Sequence, residues 1–183
     1  MATELTLRNG RRALAWSVLP GDREAIREGY ELLSPESRYH RFLSGVPHLT
    51  EPLLDHLVDE VDGVDHVALV LFVLDDDNVG VPAGVGRMIR YEDDPTCADV
   101  AVTVLEDWRG QGVATALLAE LTRQRPCGVT TVRTVVAEDN PPSLAMLERL
   151  GPTTVTEAGS GRLDVVVELP PVHEEEKPQS GCG

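Results

Sequence analysis

One stretch of the sequence limits the fold more than any other: a strand that runs into a glycine-bearing turn and then a helix. The apolar run 97–104 predicts the strand, and Val113, Leu117, Leu118 and Leu121 predict the buried face of a helix over 112–124. The first backbone N–H groups of such a helix have no partner within it, and the helix dipole lies behind them. The turn therefore predicts an anion site, most naturally for a phosphate or pyrophosphate.

The turn itself has the sequence Arg109-Gly110-Gln111-Gly112. The two glycines let the backbone approach a ligand closely, and Arg109 adds a positive charge. No lysine follows the glycines, and the spacing G-x-G-x-x-G is absent, so neither a nucleotide P-loop nor a dinucleotide fold is indicated. The alternative is a plain strand-to-helix turn in which glycine only relieves crowding.

The flanking sequence alternates strand and helix patterns and predicts a mixed α/β sheet. A hairpin opens the chain, with Asn9-Gly10 as a two-residue turn. Helices are expected from Asp22, Ser34, Thr50 and Asn140, and further strands over 66–74, 79–89, 129–136, 153–157 and 162–169. After Pro170 the apolar residues nearly disappear. We therefore expect a single domain over 1–169 and a disordered tail over 170–183.

Charge and composition exclude several functions. The net charge of −15 and the pI near 4.6 disfavour nucleic-acid binding and favour a cationic partner such as an amine. No apolar run approaches the ~18 residues of a membrane span, and the N-terminus lacks a secretory h-region. Three scattered cysteines and histidines without ligand spacing predict reduced thiols, no metal and no disulfide framework. A cytoplasmic protein that binds neither membranes nor nucleic acid is expected.

The turn also matches a family signature. Arg109-x-x-Gly112-x-Ala114 fits the pyrophosphate-loop pattern [R/Q]-x-x-G-x-[G/A] of the GNAT acyltransferases, with Trp108 just before it. The later strand, Asn140 and the helix-ending Gly151 follow at the family's spacing. The sequence thus resembles the GNAT family to about residue 169. The stretches L-x-N-G-R-R, 33–42 and 66–70 resemble, more narrowly, the GNAT domain of the bacterial Pat-type protein lysine acetyltransferases.

The resemblance implies a fold and an activity. The fold is a mixed, mostly antiparallel sheet with helices on both faces, in which the parallel strands 99–104 and 129–136 splay apart. The activity is transfer of an acetyl group from acetyl-CoA to a primary amine, by direct attack with both substrates bound. A protein lysine is the expected acceptor. A small amine (a polyamine, amino acid or antibiotic) and an acyl-CoA sensor or assembly module without turnover are the alternatives.

The resemblance also assigns roles to residues. Asp99 takes the place of the family's glutamate base, one methylene shorter, and would act through a water; an ordinary solvent-facing aspartate is the alternative. Glu106 and Asp107 are lesser base candidates, expected to be solvated. The residues expected to bind acetyl-CoA are Val102, Val104, Arg109, Gly110, Gln111, Gly112, Val113, Ala114, Thr115, Asn140 and Ser143. The two valines would act through their backbone groups.

Two features depart from the family pattern or have a second interpretation. Asn140 is also suited to cap the helix that follows it. The tyrosine that many family members use as general acid is replaced by Leu147, so the thiolate is expected to leave and take a proton from solvent. The segment with Arg38, Tyr39, Arg41 and Phe42 is expected to shape the acceptor side, or else to be an ordinary surface helix.

Overall fold

The computed structural model describes residues 2–43 and 48–171. Its strands are β1 (Ala2–Thr6), β2 (Arg12–Ser17), β3 (His66–Leu74), β4 (Gly80–Arg90), β5 (Cys97–Val104), β6 (Thr131–Ala137), β7 (Thr153–Gly159) and β8 (Arg162–Glu168). Its α-helices are α1 (Arg23–Glu31), α2 (Pro35–Phe42), α3 (Glu51–Leu54, continued by a π-helical turn over Asp55–Asp59), α4 (Val113–Arg123) and α5 (Pro141–Leu147).

The strands form one sheet in the order β1-β2-β3-β4-β5-β6-β8-β7. Among the described strands only β5 and β6 pair in parallel, and every other neighbouring pair is antiparallel. The predicted mixed, mostly antiparallel sheet is therefore confirmed.

Apolar side chains cover both faces of the sheet. On one face α4 packs against β3 and β4 through Leu117, Leu118 and Leu121. Gly84 and Gly86 of β4 permit this close approach, because a Cβ at Gly86 would lie 2.8 Å from the Leu121 Cδ1 atom. The opposite face carries α1 to α3, whose buried residues include Tyr30, Leu33, Leu54 and Leu57. β3 is buried from both sides, as its continuous apolar run predicts.

The parallel pair β5 and β6 opens into a gap. β5 and β6 pair at Cys97 with Thr131 and at Ala98 with Val132, and no further along the strands. Beyond that point β5 continues to pair with β4, while β6 continues to pair with β8. The predicted splay therefore begins at Asp99 and leaves one edge of β5 unpaired as far as Val104.

Several local predictions are corrected. The first hairpin has a three-residue turn, since the Leu7 N–H donates to the Arg11 carbonyl (2.8 Å) and Gly10 has φ of +85°. Asp22 accepts from the Leu19 N–H (2.8 Å) instead of capping α1. Cys97 is a buried free thiol, but Cys127 is disulfide-bonded, so the prediction of reduced thiols fails there. The predicted tail lies, from residue 172, outside the described residues.

No helix within the described ranges is long and apolar enough to cross a membrane. In those same ranges no three His, Cys, Asp or Glu side chains are grouped to hold a metal ion.

Candidate active site

The splayed edge of β5 forms the wall of a cleft of about 640 Å³. β5 ends at Val104, a short 3₁₀ turn follows over Glu106–Trp108, and the glycine turn leads into α4. The N-cap of α4 is Gly112, which has φ of +91° and offers no side chain to the free N–H groups of the first turn. Those N–H groups are therefore left for a ligand at one end of the cleft.

The cleft gathers almost all of the residues predicted to bind acetyl-CoA. Those that line it are Val102, Val104, Arg109, Gly110, Gly112, Val113, Ala114, Thr115, Asn140 and Ser143. Gln111 does not. Its side chain accepts from Asn9 (3.2 Å) and donates to the Asp107 carbonyl (2.8 Å), so it ties the turn to the first hairpin.

Four arginines lie along the cleft, although the protein as a whole is strongly acidic. Arg109 comes from the glycine turn, Arg8 from the first hairpin, Arg41 from α2 and Arg149 from the segment after α5. The motif predicted only Arg109, because the other three reach the cleft through tertiary folding. Positive charge here complements the N-terminal end of α4 and favours an anionic ligand.

Glu106 joins the turn after β5 to the start of α2. Its Oε1 accepts from the Ser37 hydroxyl (2.7 Å) and the Ser34 N–H (3.1 Å). Burial opposes ionisation, but these hydrogen bonds outweigh it and lower the pKa of Glu106 to about 2. Glu106 is therefore anchored and not freely solvated, and so low a pKa makes it a weak base. Arg109 also contacts Ser37, and its Nη2 lies 3.4 Å from Glu106 Oε1.

Asp99 lies in an adjoining pocket of about 260 Å³, between β5, β6, α2 and α5. Burial raises the pKa of its carboxyl above the ordinary aspartate value, while a hydrogen bond with Thr134 and the charge of Arg41 act in the opposite direction. The Thr134 hydroxyl is also 3.2 Å from the Val100 carbonyl oxygen, and its single hydrogen can go to only one of these two acceptors. A half-buried carboxylate with a raised pKa is suited to accept a proton.

Asn140 caps α5, as its second interpretation predicts. Its Oδ1 accepts from the Ser143 N–H at 3.3 Å. Both residues line the large cleft and also the Asp99 pocket, so they lie where the two meet. Leu147, at the position of the missing tyrosine, is buried in the core and lines only the Asp99 pocket.

Sequence reasoning missed a histidine at the same junction. His40 of α2 lines the large cleft and the Asp99 pocket, and its Nε2 lies 3.1 Å from Asp139 Oδ1. Its side chain is 16% exposed, whereas that of Asp139 is 73% exposed. The two residues are separated by 99 positions in the chain, so no local sequence pattern indicates that they form a pair.

The residues of the segment expected to shape the acceptor side have different surroundings. Arg41 lines the large cleft, the Asp99 pocket and a third, smaller pocket beneath α1. Arg38 instead lies over the Tyr30 ring at 4.9 Å and donates to the Glu31 carbonyl (3.0 Å). Tyr39 is exposed, and the Phe42 side chain lies outside the described residues.

Comparison with known proteins gives consistent matches. Residues 26–151 match the model of the acetyltransferase (GNAT) family. The chain is 34% identical over 156 residues to the acetyltransferase Pat of Mycolicibacterium smegmatis, covering 85% of this chain and 45% of that protein. It is 31% identical over 116 residues to an acetyltransferase of Pseudomonas aeruginosa, covering 63% of this chain and 61% of the other. The chain thus spans about half the length of these curated relatives.

Solved structures share the fold. The GNAT domain of S. lividans PAT superposes with a TM-score of 0.78 at 24% identity, covering 92% of this chain and 97% of that domain. A cAMP-binding acyltransferase from Mycobacterium smegmatis gives a TM-score of 0.62 at 26% identity, covering 94% of this chain and 48% of that one.

Proposed function

The chain belongs to the GNAT family of acetyltransferases, and we propose that it transfers an acetyl group from acetyl-CoA to the side-chain amine of a protein lysine in the cytoplasm. One observation carries the proposal. The unpaired edge of β5 runs from Asp99 to Val104, and the turn after it leads to the N-terminus of α4. The Asp99 carboxyl, a free strand edge and the free N–H groups of α4 therefore follow one another along two adjoining pockets, which together are called the groove below.

Each part of the groove has a task in binding the donor. The free N–H groups of α4 and the nearby arginines suit the pyrophosphate of acetyl-CoA. The unpaired edge of β5 offers backbone groups to the amide-bearing pantetheine arm, as an added strand would take them. In this proposal, backbone N–H groups near Val102 and Val104 polarise the thioester carbonyl.

Asp99 is the base in this proposal. The acceptor amine is mostly protonated at neutral pH and must lose a proton before it attacks. Asp99 accepts that proton, through a water that compensates for the short side chain. The new N–C bond then forms, the C–S bond breaks, and coenzyme A leaves as the thiolate. The nitrogen loses its second proton to solvent as the amide forms, and the thiolate takes up a proton from solvent. The pocket around Asp99 holds Thr134 and Arg41, which favour the ionised carboxylate and so oppose the effect of burial on its pKa.

The lysine acceptor rests on the likeness to the Pat-type enzymes and on charge. A protein with net charge −15 attracts a cationic amine. The same charge would attract a free polyamine, so the acceptor class has to be decided by experiment.

The test is an acceptor screen followed by thiol release from acetyl-CoA, using lysine-containing peptides, acid-rich and basic proteins, polyamines and amino acids. We expect release that depends on the amine, and acetyl-lysine in the product by mass spectrometry. If thiol is released only with small amines, the acceptor is a small metabolite and not a protein lysine. Binding of acetyl-CoA without release for any amine would favour the sensor alternative.

A further inference from the structure

A third pocket, of about 90 Å³, lies between α1, the α3 segment and the sheet, away from the α4 face. Its walls are mainly apolar, from Ile26, Leu33, Leu57, Val85 and Leu105. Two arginines, Arg41 and Arg87, also line it. Because Arg41 and Thr103 line the large cleft as well, this helical pocket adjoins the groove in which transfer would occur.

Arg87 is unusual for a charged side chain. It is only 4% exposed, and among the described residues no carboxylate forms an ion pair with it. Buried charges are normally paired, and this chain has 31 acidic residues from which a partner could come. A buried cation without an anion is costly unless a ligand supplies the anion.

The hydrogen bonds of Arg87 leave its charge uncompensated. Its Nη1 contacts the Leu57 carbonyl (3.1 Å) and the His66 Nε2 atom (3.3 Å). Burial, together with the charges of Arg87 and His56, lowers the pKa of His66 to about 4, so His66 is a neutral acceptor at neutral pH. Burial and the charge of Arg41 lower the pKa of Arg87 to about 9, so Arg87 remains protonated. The N–H groups on Nε and Nη2 are left for another partner.

Strand register places this cation beside the reacting groups. Arg87 pairs with Ala101 on β5, and Asp99, Ala101 and Thr103 alternate onto the same face of that strand. A molecule bound at Arg87 would therefore lie one strand away from Asp99.

We propose that the helical pocket binds a small aliphatic carboxylate through the guanidinium of Arg87, and that this carboxylate belongs to one of the two reactants. A mainly apolar pocket that contains the Arg87 guanidinium fits a short hydrocarbon that ends in a carboxylate, and a guanidinium can bind both carboxylate oxygens. The carboxylate comes either from the acceptor, as in an amino acid, or from a dicarboxylic acyl group on coenzyme A. Its place in acyl transfer rests on the proposed function, whereas the binding itself does not.

A binding experiment tests the pocket without turnover. The probe is 3-methylbutanoate, and the neutral 3-methylbutanamide is its matched control; binding is followed by ligand-observed NMR and by melting temperature. We expect the carboxylate alone to bind, and Arg87→Met to weaken it by roughly 10- to 100-fold, the range for hydrogen bonds to a charged group. Arg90→Met is the matched control, because Arg90 lies on the same strand but already pairs with Asp65 (2.8 Å).

The melting temperature separates this role from a structural one. If Arg87 is kept for a ligand, replacing an uncompensated buried charge with methionine should leave the melting temperature unchanged or raised. If Arg87 serves only to bind the Leu57 carbonyl, the variant should melt lower and the probe should bind equally to both proteins, which would overturn the proposal. Equal binding of carboxylate and amide by the wild type would also overturn it. Should Arg87→Met fail to fold, Arg87→Lys, which keeps the charge but not the two-pronged geometry, replaces it with the same expected loss of binding.

Two further arms identify the source of the carboxylate. Comparison of succinyl-CoA with acetyl-CoA tests the acyl group, and comparison of leucine with leucinamide and 3-methylbutylamine tests the acceptor. In each arm the preference for the carboxylate should disappear in Arg87→Met and persist in Arg90→Met. Binding of the probe through Arg87 without any acyl transfer would refute the proposed function and leave this site standing. Acyl transfer without any preference for the carboxylate, in a protein that does not bind the probe, would refute this site and leave the proposed function standing.

Discussion

The two sides of the proposed groove are built in different ways. On the donor side, the unpaired edge of β5 and the first turn of α4 present backbone groups, whose directions are set by strand and helix geometry. On the acceptor side, charged or titratable side chains come from two elements far apart in the chain, His40 and Arg41 from α2 and Arg87 from β4. A backbone site of this kind tolerates many side chains, whereas a side-chain site is changed by one substitution. The donor side is therefore suited to a constant ligand and the acceptor side to a variable one.

Asp99 lies at the boundary between the two sides, and its loss should have the largest effect. Asp99→Asn keeps the size of the side chain but cannot take up a proton. Turnover should fall by roughly 10²–10⁴-fold, the usual range for a general base, while acetyl-CoA still raises the melting temperature. The deficit should narrow as pH rises, since more of the amine is then neutral. A pH–rate profile with matched thermal shifts is the measurement.

Two further variants interpret the Asp99 result. Asp164→Asn, an exposed aspartate on β8, should behave as the wild type. Glu106→Gln should mainly lower stability, because Glu106 binds Ser34 and Ser37 and its pKa is about 2. If the Asp99→Asn protein has the wild-type rate and pH–rate profile, the base lies elsewhere. Asp99 would then no longer mark the boundary between the donor side and the acceptor side.

A substitution in the glycine turn should weaken binding of coenzyme A on the donor side. Gly112→Val places a side chain at φ of +91°, where its Cβ would lie 3.0 Å from the Arg8 Cβ and 3.2 Å from the Arg8 N atom. The left-handed conformation alone costs about 1–2 kcal/mol. We expect both a lower melting temperature and at least tenfold weaker binding of coenzyme A, measured by calorimetry.

Gly63→Val separates strain from binding. Gly63 also has a left-handed φ, of +71°, but nothing lies within 4 Å of its Cβ position, and Gly63 does not line the cleft. It should lose stability and keep its affinity for coenzyme A. If both variants bind coenzyme A normally, the anion site does not lie at the N-terminus of α4.

The difference between the two sides also explains what the sequence could predict. Local sequence patterns indicate the glycine turn, the strand before it and Asn140. Once the strands are paired, these three features lie in one cleft. The pairing that opens at Asp99 was expected from family resemblance alone. Arg8, Arg149, His40 and Arg87 carry no local signal, because each reaches its pocket only through the packing of a distant element. Gln111 has the local signal but does not line the cleft, because its side chain turns to the first hairpin.

A smaller effect on turnover is expected from a change in the pocket around Asp99. Thr134→Val removes the hydrogen bond that favours the ionised carboxyl, so the already raised pKa of Asp99 should rise further. The base must be ionised to act, and the acid limb of the pH–rate profile should therefore move to higher pH, with the plateau rate changed less than about tenfold. Thr154→Val, on the exposed strand β7, is the control. An unmoved limb would mean that Asp99 does not control it.

The smallest effect is expected at His40. The pair with Asp139 places an imidazole where the cleft meets the Asp99 pocket, and Leu147 leaves the usual acid position without a proton donor. Even so, the leaving group is the thiolate of coenzyme A. A thiol is acidic enough that its thiolate can leave without being protonated first, so the reaction does not require a general acid. We therefore expect His40→Gln to lower kcat by less than about tenfold and to keep the wild-type pH profile at high pH. A loss of about a hundredfold or more, with the alkaline limb abolished, would instead make His40 the acid. In that case Asp139→Asn, which removes the carboxylate 3.1 Å from the His40 Nε2 atom, should lower kcat as well. Only that pair of results would give the acceptor side a part in the chemical step as well as in substrate choice.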